Sequence, residues 1–166
     1  MPTVVNGLPA HVLLAHLVVV FVPATALLLI LAVAWPAARE RIGIFGPGIA
    51  LVTLIFVPIT TNAGEWFKNE KFPDSFPALE DHARLGSSMI YYSAGAFVLF
   101  AAWWLVSNSS GVKLLAKVPA LASFGTNKFV RIGIGVVAVV VAVLSLIHGV
   151  QVGDSGAKAV WDGVIS

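Results

Sequence analysis

Four long apolar stretches, roughly Leu8 to Trp35, Ile42 to Thr61, Leu85 to Val106 and Phe129 to Val150, run through the chain, and none carries a charged side chain in its middle. A helix needs about 20 such residues to cross a hydrocarbon core, where backbone polar groups find no water and must be satisfied within the segment. The expected architecture is therefore all-α, an integral membrane four-helix bundle forming a single four-span transmembrane domain over residues 1–166. Composition agrees, since only 11% of the residues are charged and 58% are hydrophobic, against about 25% charged in soluble domains. Membrane lipid is the first expected partner.

The absence of cysteine removes disulfides, thiolate metal sites and cysteine nucleophiles together. The net charge of +2 is spread over short connections and makes no basic stripe, so nucleic acid is not an expected partner. Met1 to Ala10 contains no lysine or arginine, and the first stretch reads as a retained helix rather than a secretory signal.

Orientation follows from the basic residues, which stay cytoplasmic in short loops. Connections one and three hold Arg39, Arg41, Lys113, Lys117, Lys128 and Arg131; the other side holds Lys68, Lys71, Arg84 and Lys158 among Glu65, Glu70, Asp74, Glu80, Asp81, Asp154 and Asp162. Both termini are expected to be extracytoplasmic. Trp35, Trp103 and Trp104 then fall at the inner boundary and Trp66 and Trp161 at the outer one, as interfacial anchors.

Pro23, Pro47 and Pro58 lie inside apolar runs and predict bends. Gly43, Gly46, Gly48, Gly133 and Gly135 predict close helix approach. Arg39, Glu40 and Arg41 follow Pro36 in a tight turn, making the first two spans antiparallel neighbours. The stretch from Asn62 to Asp81 is expected to be a long ordered loop capping the outer end, and Val112 to Phe124, with Lys113 and Lys117 one turn apart, an interfacial helix.

Some local matches carry no chemistry. Gly153-Asp154-Ser155-Gly156 imitates the nucleophile segment of chymotrypsin-like proteases without their fold, and is expected to be a glycine-rich turn leaving the last helix. Asn108-Ser109-Ser110 is a glycosylation sequon on the expected cytoplasmic side. No catalytic residue is assigned.

The four histidines are the informative feature. In this topology His11, His16, His82 and His148 all fall toward the outer surface, and His16 lies about 7.5 Å deeper than His11. An imidazole among Leu13, Leu14, Ala15, Leu17, Val18 and Val19 is costly in lipid unless it faces the bundle and finds a partner. Imidazole is a ligand for haem iron and for transition metals. Residues five apart on a helix differ by about 140°, so His11 and His16 are expected to meet different helices, as a bis-histidine haem b or a shared metal ion requires. His11, His16, His82 and His148 are the candidate cofactor-binding residues, and the same four with Glu65 the candidate metal ligands; substituting His16 is expected to remove any cofactor. The alternative is that each ring is hydrogen-bonded to a carbonyl or to Glu65, Glu80 or Asp81.

The segment Leu8-Pro9-Ala10-His11-Val12-Leu13-Leu14-Ala15-His16, together with Glu65, His82-Ala83-Arg84-Leu85-Gly86 and His148-Gly149-Val150, resembles a bacterial four-span membrane protein family, domain-of-unknown-function family twenty-two thirty-one, marked by a His-x4-His start. Val12 stands where that family usually has proline. The resemblance covers nearly the whole chain and implies a multi-pass protein of the bacterial inner membrane, with the motif histidines at His11, His16, His82 and His148. Fusion of some relatives to Rieske-type iron–sulfur domains implies redox company. Two functions are thus expected: a small membrane protein binding b-type haem or a metal for electron transfer, or a non-catalytic structural or accessory subunit of a larger, respiratory-type membrane complex. A homo-oligomer is a further expected partnership.

Overall fold

A computed structural model describes residues 4–5 and 8–161. After a minimal antiparallel pairing of β1 (Val4–Val5) with β2 (Leu8–Pro9), the described chain is helical: α1 (Ala10–Ala34), α2 (Pro36–Ile42), α3 (Phe45–Lys71), α4 (Pro77–Ser107), α5 (Ser109–Leu115), α6 (Pro119–Thr126) and α7 (Lys128–Trp161). Four of these, α1, α3, α4 and α7, are long and apolar enough to cross a membrane. They form a ring in which α1 packs on α3 and α7, and α4 on the same two. Prolines at the first position of α2, α4 and α6 start those helices where no N–H is needed.

The core follows from small and apolar residues at alternating spacings of three and four. Val22, Thr25, Ala26, Leu29 and Ala32 on α1 face Ala50, Thr53 and Val57 on α3, Ala96, Phe100 and Trp103 on α4, and Ala138 and Ala142 on α7. Such seams suit lipid, where backbone approach and dispersion replace the hydrophobic drive between helices. Thr25 and Thr53 share a 2.8 Å hydroxyl bond across α1 and α3, leaving neither hydroxyl orphaned in the core.

The ends of the helices differ from the sequence expectation. The long loop from Asn62 to Asp81 is mostly helix, because nothing between Asn62 and Lys71 breaks a helix and Pro73 is the first residue that stops one. The turn is only residues 72–76, locked by edge-to-face contacts of Phe72 with Phe67 and Phe76 and by the Lys68–Glu80 ion pair at 2.9 Å. The Gly153–Gly156 segment, expected to turn away, stays inside α7. The single interfacial helix is split into α5 and α6 where Pro119 forces a restart. Pro47 lies in the first turn of α3 and removes no bond there, whereas Pro23 and Pro58 are interior.

At the end opposite the histidines, α1 stops with exposed carbonyls and no basic residue in its own last turn. Arg39 reaches back from α2 to fill that role, its Nε donating to the Ala32 carbonyl at 2.9 Å and its Nη2 to Val33 at 3.2 Å. The same Ala32 oxygen accepts from the Trp103 indole at 3.1 Å, and the guanidinium lies 4.9 Å from the Trp103 ring centroid. Burial and the neighbouring Arg131 pull the Arg39 pKa below its ordinary value, with Glu40 opposing. Trp103 is therefore a core clamp rather than an interfacial anchor, while Trp35, Trp66 and Trp161 are exposed. Asn108 is buried, donates to the Arg39 carbonyl and to Glu40, and caps α5 through Ser110; Glu40 also accepts from the Ser109 amide and hydroxyl.

Candidate functional site

The four histidines divide into three environments. His11, in the first turn of α1, is half-buried, and its Nδ1 lies 3.0 Å from the Thr60 carbonyl of α3. A carbonyl only accepts, so Nδ1 is the donor in this contact. His82, five residues into α4, places Nδ1 3.2 Å from the Ser155 hydroxyl, which itself donates to the Val152 carbonyl at 2.9 Å. Ser155 thereby links the His82 ring to the backbone of α7.

These two rings come together. Their centroids are 6.3 Å apart, with the planes at 73°. Glycine backbone supports both: a Cβ at Gly64 would come within 2.7 Å of His11 Cε1 and Nδ1, and one at Gly156 within 3.0 Å of His82 Cε1. Helices α3 and α7 thus lie directly against the imidazoles, which only glycine permits at such closeness.

His148 and His16 stand elsewhere. His148 is buried on α7, its ring stacked on Tyr92 at 4.3 Å, and its Nε2 lies 3.0 Å from the Leu85 carbonyl and 2.9 Å from the Ser88 hydroxyl. Ser88 donates to the same carbonyl, so the ring closes a small network between α4 and α7. The expectation that His16 turns into the bundle is not met. It lies on an exposed face of α1 and satisfies its Nδ1 with the Val12 carbonyl of its own helix at 2.6 Å, which relieves the cost of a bare imidazole without any neighbour. Glu65 follows Gly64 on α3 and is exposed. Among the described residues, no three His, Asp or Glu side chains converge on a point that could hold a metal ion.

Thr60, Ser155, Ser88, Tyr92, Gly64 and Gly156 were not among the sequence candidates. The choice between His11 and His16 becomes visible only in the fold: the buried stripe of α1 that includes Val22, continued back about three turns, arrives at His11 and leaves His16 about 120° away, whereas in sequence the helix is apolar all round. A cavity of about 620 Å³ opens nearby between α4 and α7, lined by Asp81, Arg84, Gln151, Asp154, Ser155 and Lys158 among others. None of its lining residues is a histidine, although Ser155 connects it to His82 by one hydrogen bond.

This arrangement brings two imidazoles, both with Nδ1 tied down, to one place between α1 and α4. Ligating histidines characteristically donate their second ring nitrogen to a carbonyl or another acceptor, which fixes ring orientation. Comparison of the chain with family models, with curated proteins and with solved structures yields no significant match to any of them.

Proposed function

We propose that the protein is a small multi-pass membrane protein in which His11 and His82 hold a transition-metal ion for electron transfer at the extracytoplasmic end of the bundle. The observation that carries this reading is the 6.3 Å separation of the two rings across α1 and α4. Imidazoles that bind one ion at metal–nitrogen distances of about 2 Å have centroids about 5–6.5 Å apart. The Thr60 and Ser155 acceptors supply the outer contacts such ligands need. Imidazole suits zinc, copper, iron and nickel, and of these a redox role requires copper or iron. An ion fits this site better than haem, since α3 and α7 lie against the two rings at Gly64 and Gly156. His16, His148 and Glu65 are left out of the proposed centre because of where they point and what already occupies them.

A second reading, an accessory or structural subunit of a larger membrane complex, is favoured by a specific observation: every one of the four rings has a hydrogen-bond partner within the chain. One experiment separates the two. Detergent-extracted protein is assayed for metal content and its absorption spectrum is recorded oxidised and after dithionite, for the unsubstituted chain and for His11→Ala, His82→Ala and His16→Ala. The expected result is near-stoichiometric metal, no Soret band, loss on substitution of His11 or His82, and retention in His16→Ala. Metal-free protein, or occupancy indifferent to His11 and His82, overturns the metal reading; a Soret band assigns haem instead.

A further inference from the structure

The two ends of the bundle treat their charges differently. At the histidine end three of the four basic residues, Lys68, Arg84 and Lys158, are ion-paired, to Glu80, Asp81 and Asp154, and the fourth, Lys71, is a lone exposed cation among the described residues, next to Glu70 in a segment rich in carboxylates. At the opposite end Arg41, Lys113, Lys117 and Lys128 are exposed, and none makes an ion pair among the described residues. The one carboxylate placed there by the fold, Glu40, is taken up by Asn108 and Ser109. This end therefore presents cations that the protein leaves unneutralised.

Those cations are interleaved with apolar side chains. On α5 and just beyond it, Leu114 and Val118 are about half exposed beside Lys113 and Lys117, and Phe129, next to Lys128, is 83% exposed. Alternating apolar and basic residues on short helices at the end of a membrane bundle match the layer where acyl chains meet headgroups. Lysine stems can lie along that boundary while the ammonium reaches outward.

We propose that this end is a docking surface for anionic phospholipid headgroups, with Lys113, Lys117, Lys128 and Arg41 as the cations that recognise them. The occupant is fixed by charge complementarity: an acidic leaflet supplies the counter-charge that Glu40 cannot. The proposal uses the four spanning helices and is independent of any metal at His11 and His82.

The test uses the full chain reconstituted in phosphatidylcholine bilayers containing a minority of phosphatidylglycerol, with the association of spin-labelled forms of each lipid measured by electron paramagnetic resonance. Phosphatidylglycerol is expected to be preferred over phosphatidylcholine by about fivefold for each engaged cation. The preference falls toward unity in about 1 M salt, where the screening length is about 3 Å, and in the combined Arg41→Gln, Lys113→Gln, Lys117→Gln, Lys128→Gln variant. Lys71→Gln, at the histidine end, leaves it unchanged. Equal association of the two lipids, a preference that survives high salt or the combined substitution, or an equal loss in Lys71→Gln overturns the proposal. The salt titration of the unsubstituted chain tests it even if the combined variant fails to fold.

Discussion

Gly46→Ala places one methyl group where the bundle has no room for it. A Cβ at that position would sit 2.3 Å from Phe100 Cζ, 2.5 Å from Cε2 and 2.9 Å from Ile42 Cγ2, about 1 Å or more short of ordinary contact with the ring. Phe100 cannot simply swing aside, because it is 1% exposed and among the largest fully buried side chains. Overpacking a tight core costs about 1–3 kcal/mol, and the better helix propensity of alanine returns at most about 1 kcal/mol. Because the overlap with the Phe100 ring exceeds about 1 Å, the cost lies at the upper end of that range, and the net expectation is a loss of about 2 kcal/mol. Gly48, two residues on, has nothing within 4 Å of its would-be Cβ, so Gly48→Ala is expected to be neutral or stabilising by up to about 1 kcal/mol. The assay is reversible unfolding in mixed micelles by titration with sodium dodecyl sulfate. Combining Gly46→Ala with Phe100→Leu should recover part of the loss, giving a coupling of about 1 kcal/mol between the two sites. Equal stability of the Gly46→Ala and unsubstituted chains, or simple additivity in the double variant, would refute the packing argument.

Two further substitutions probe the other structural contacts. Trp103→Phe removes the indole bond to the Ala32 carbonyl and weakens the guanidinium stack, and is expected to lower stability in the same titration by about 1–3 kcal/mol; a change within error would show that Arg39 alone suffices to cap α1. His148→Leu leaves the Leu85 carbonyl with Ser88 alone and loses the Tyr92 stack, with an expected cost of about 1–3 kcal/mol and unaltered metal content; loss of metal with stability intact would bring His148 into the centre.

The number of long apolar helices is legible in the chain because length and hydropathy report directly on what a bilayer would accept. Where each helix ends is not, since polarity marks the edge of lipid rather than the edge of the helix: Asn62 to Lys71 and Val152 to Trp161 are polar enough to leave the membrane and contain nothing that stops helical hydrogen bonding. The tryptophans illustrate the same gap. Trp35 and Trp103 look alike in sequence, yet one is exposed and the other binds the end of α1, a difference made by Arg39 folding back from a separate helix. Among the histidines, spacing separates His11 from His16 in angle but does not by itself say which one faces inward. The partners Thr60 and Ser155 are 49 and 73 residues away from the rings they hold, so only the packing of α3 on α1 and of α7 on α4 brings them into view.

The helices also differ in height at the histidine end. From Thr60, level with the start of α1, α3 climbs eleven more residues, about 16 Å, while α7 continues past Ser155 to Trp161. The tall rim is thus formed by α3, α4 and α7, while α1 is preceded by the short β1–β2 pairing. Lys68, Glu80, Asp81, Arg84, Asp154 and Lys158 all stand on the tall walls, whereas Met1 to Ala10 bears no charged side chain. The fixed charges of this rim are thus carried by three helices, and α1 contributes only His11 and His16 to its titratable groups.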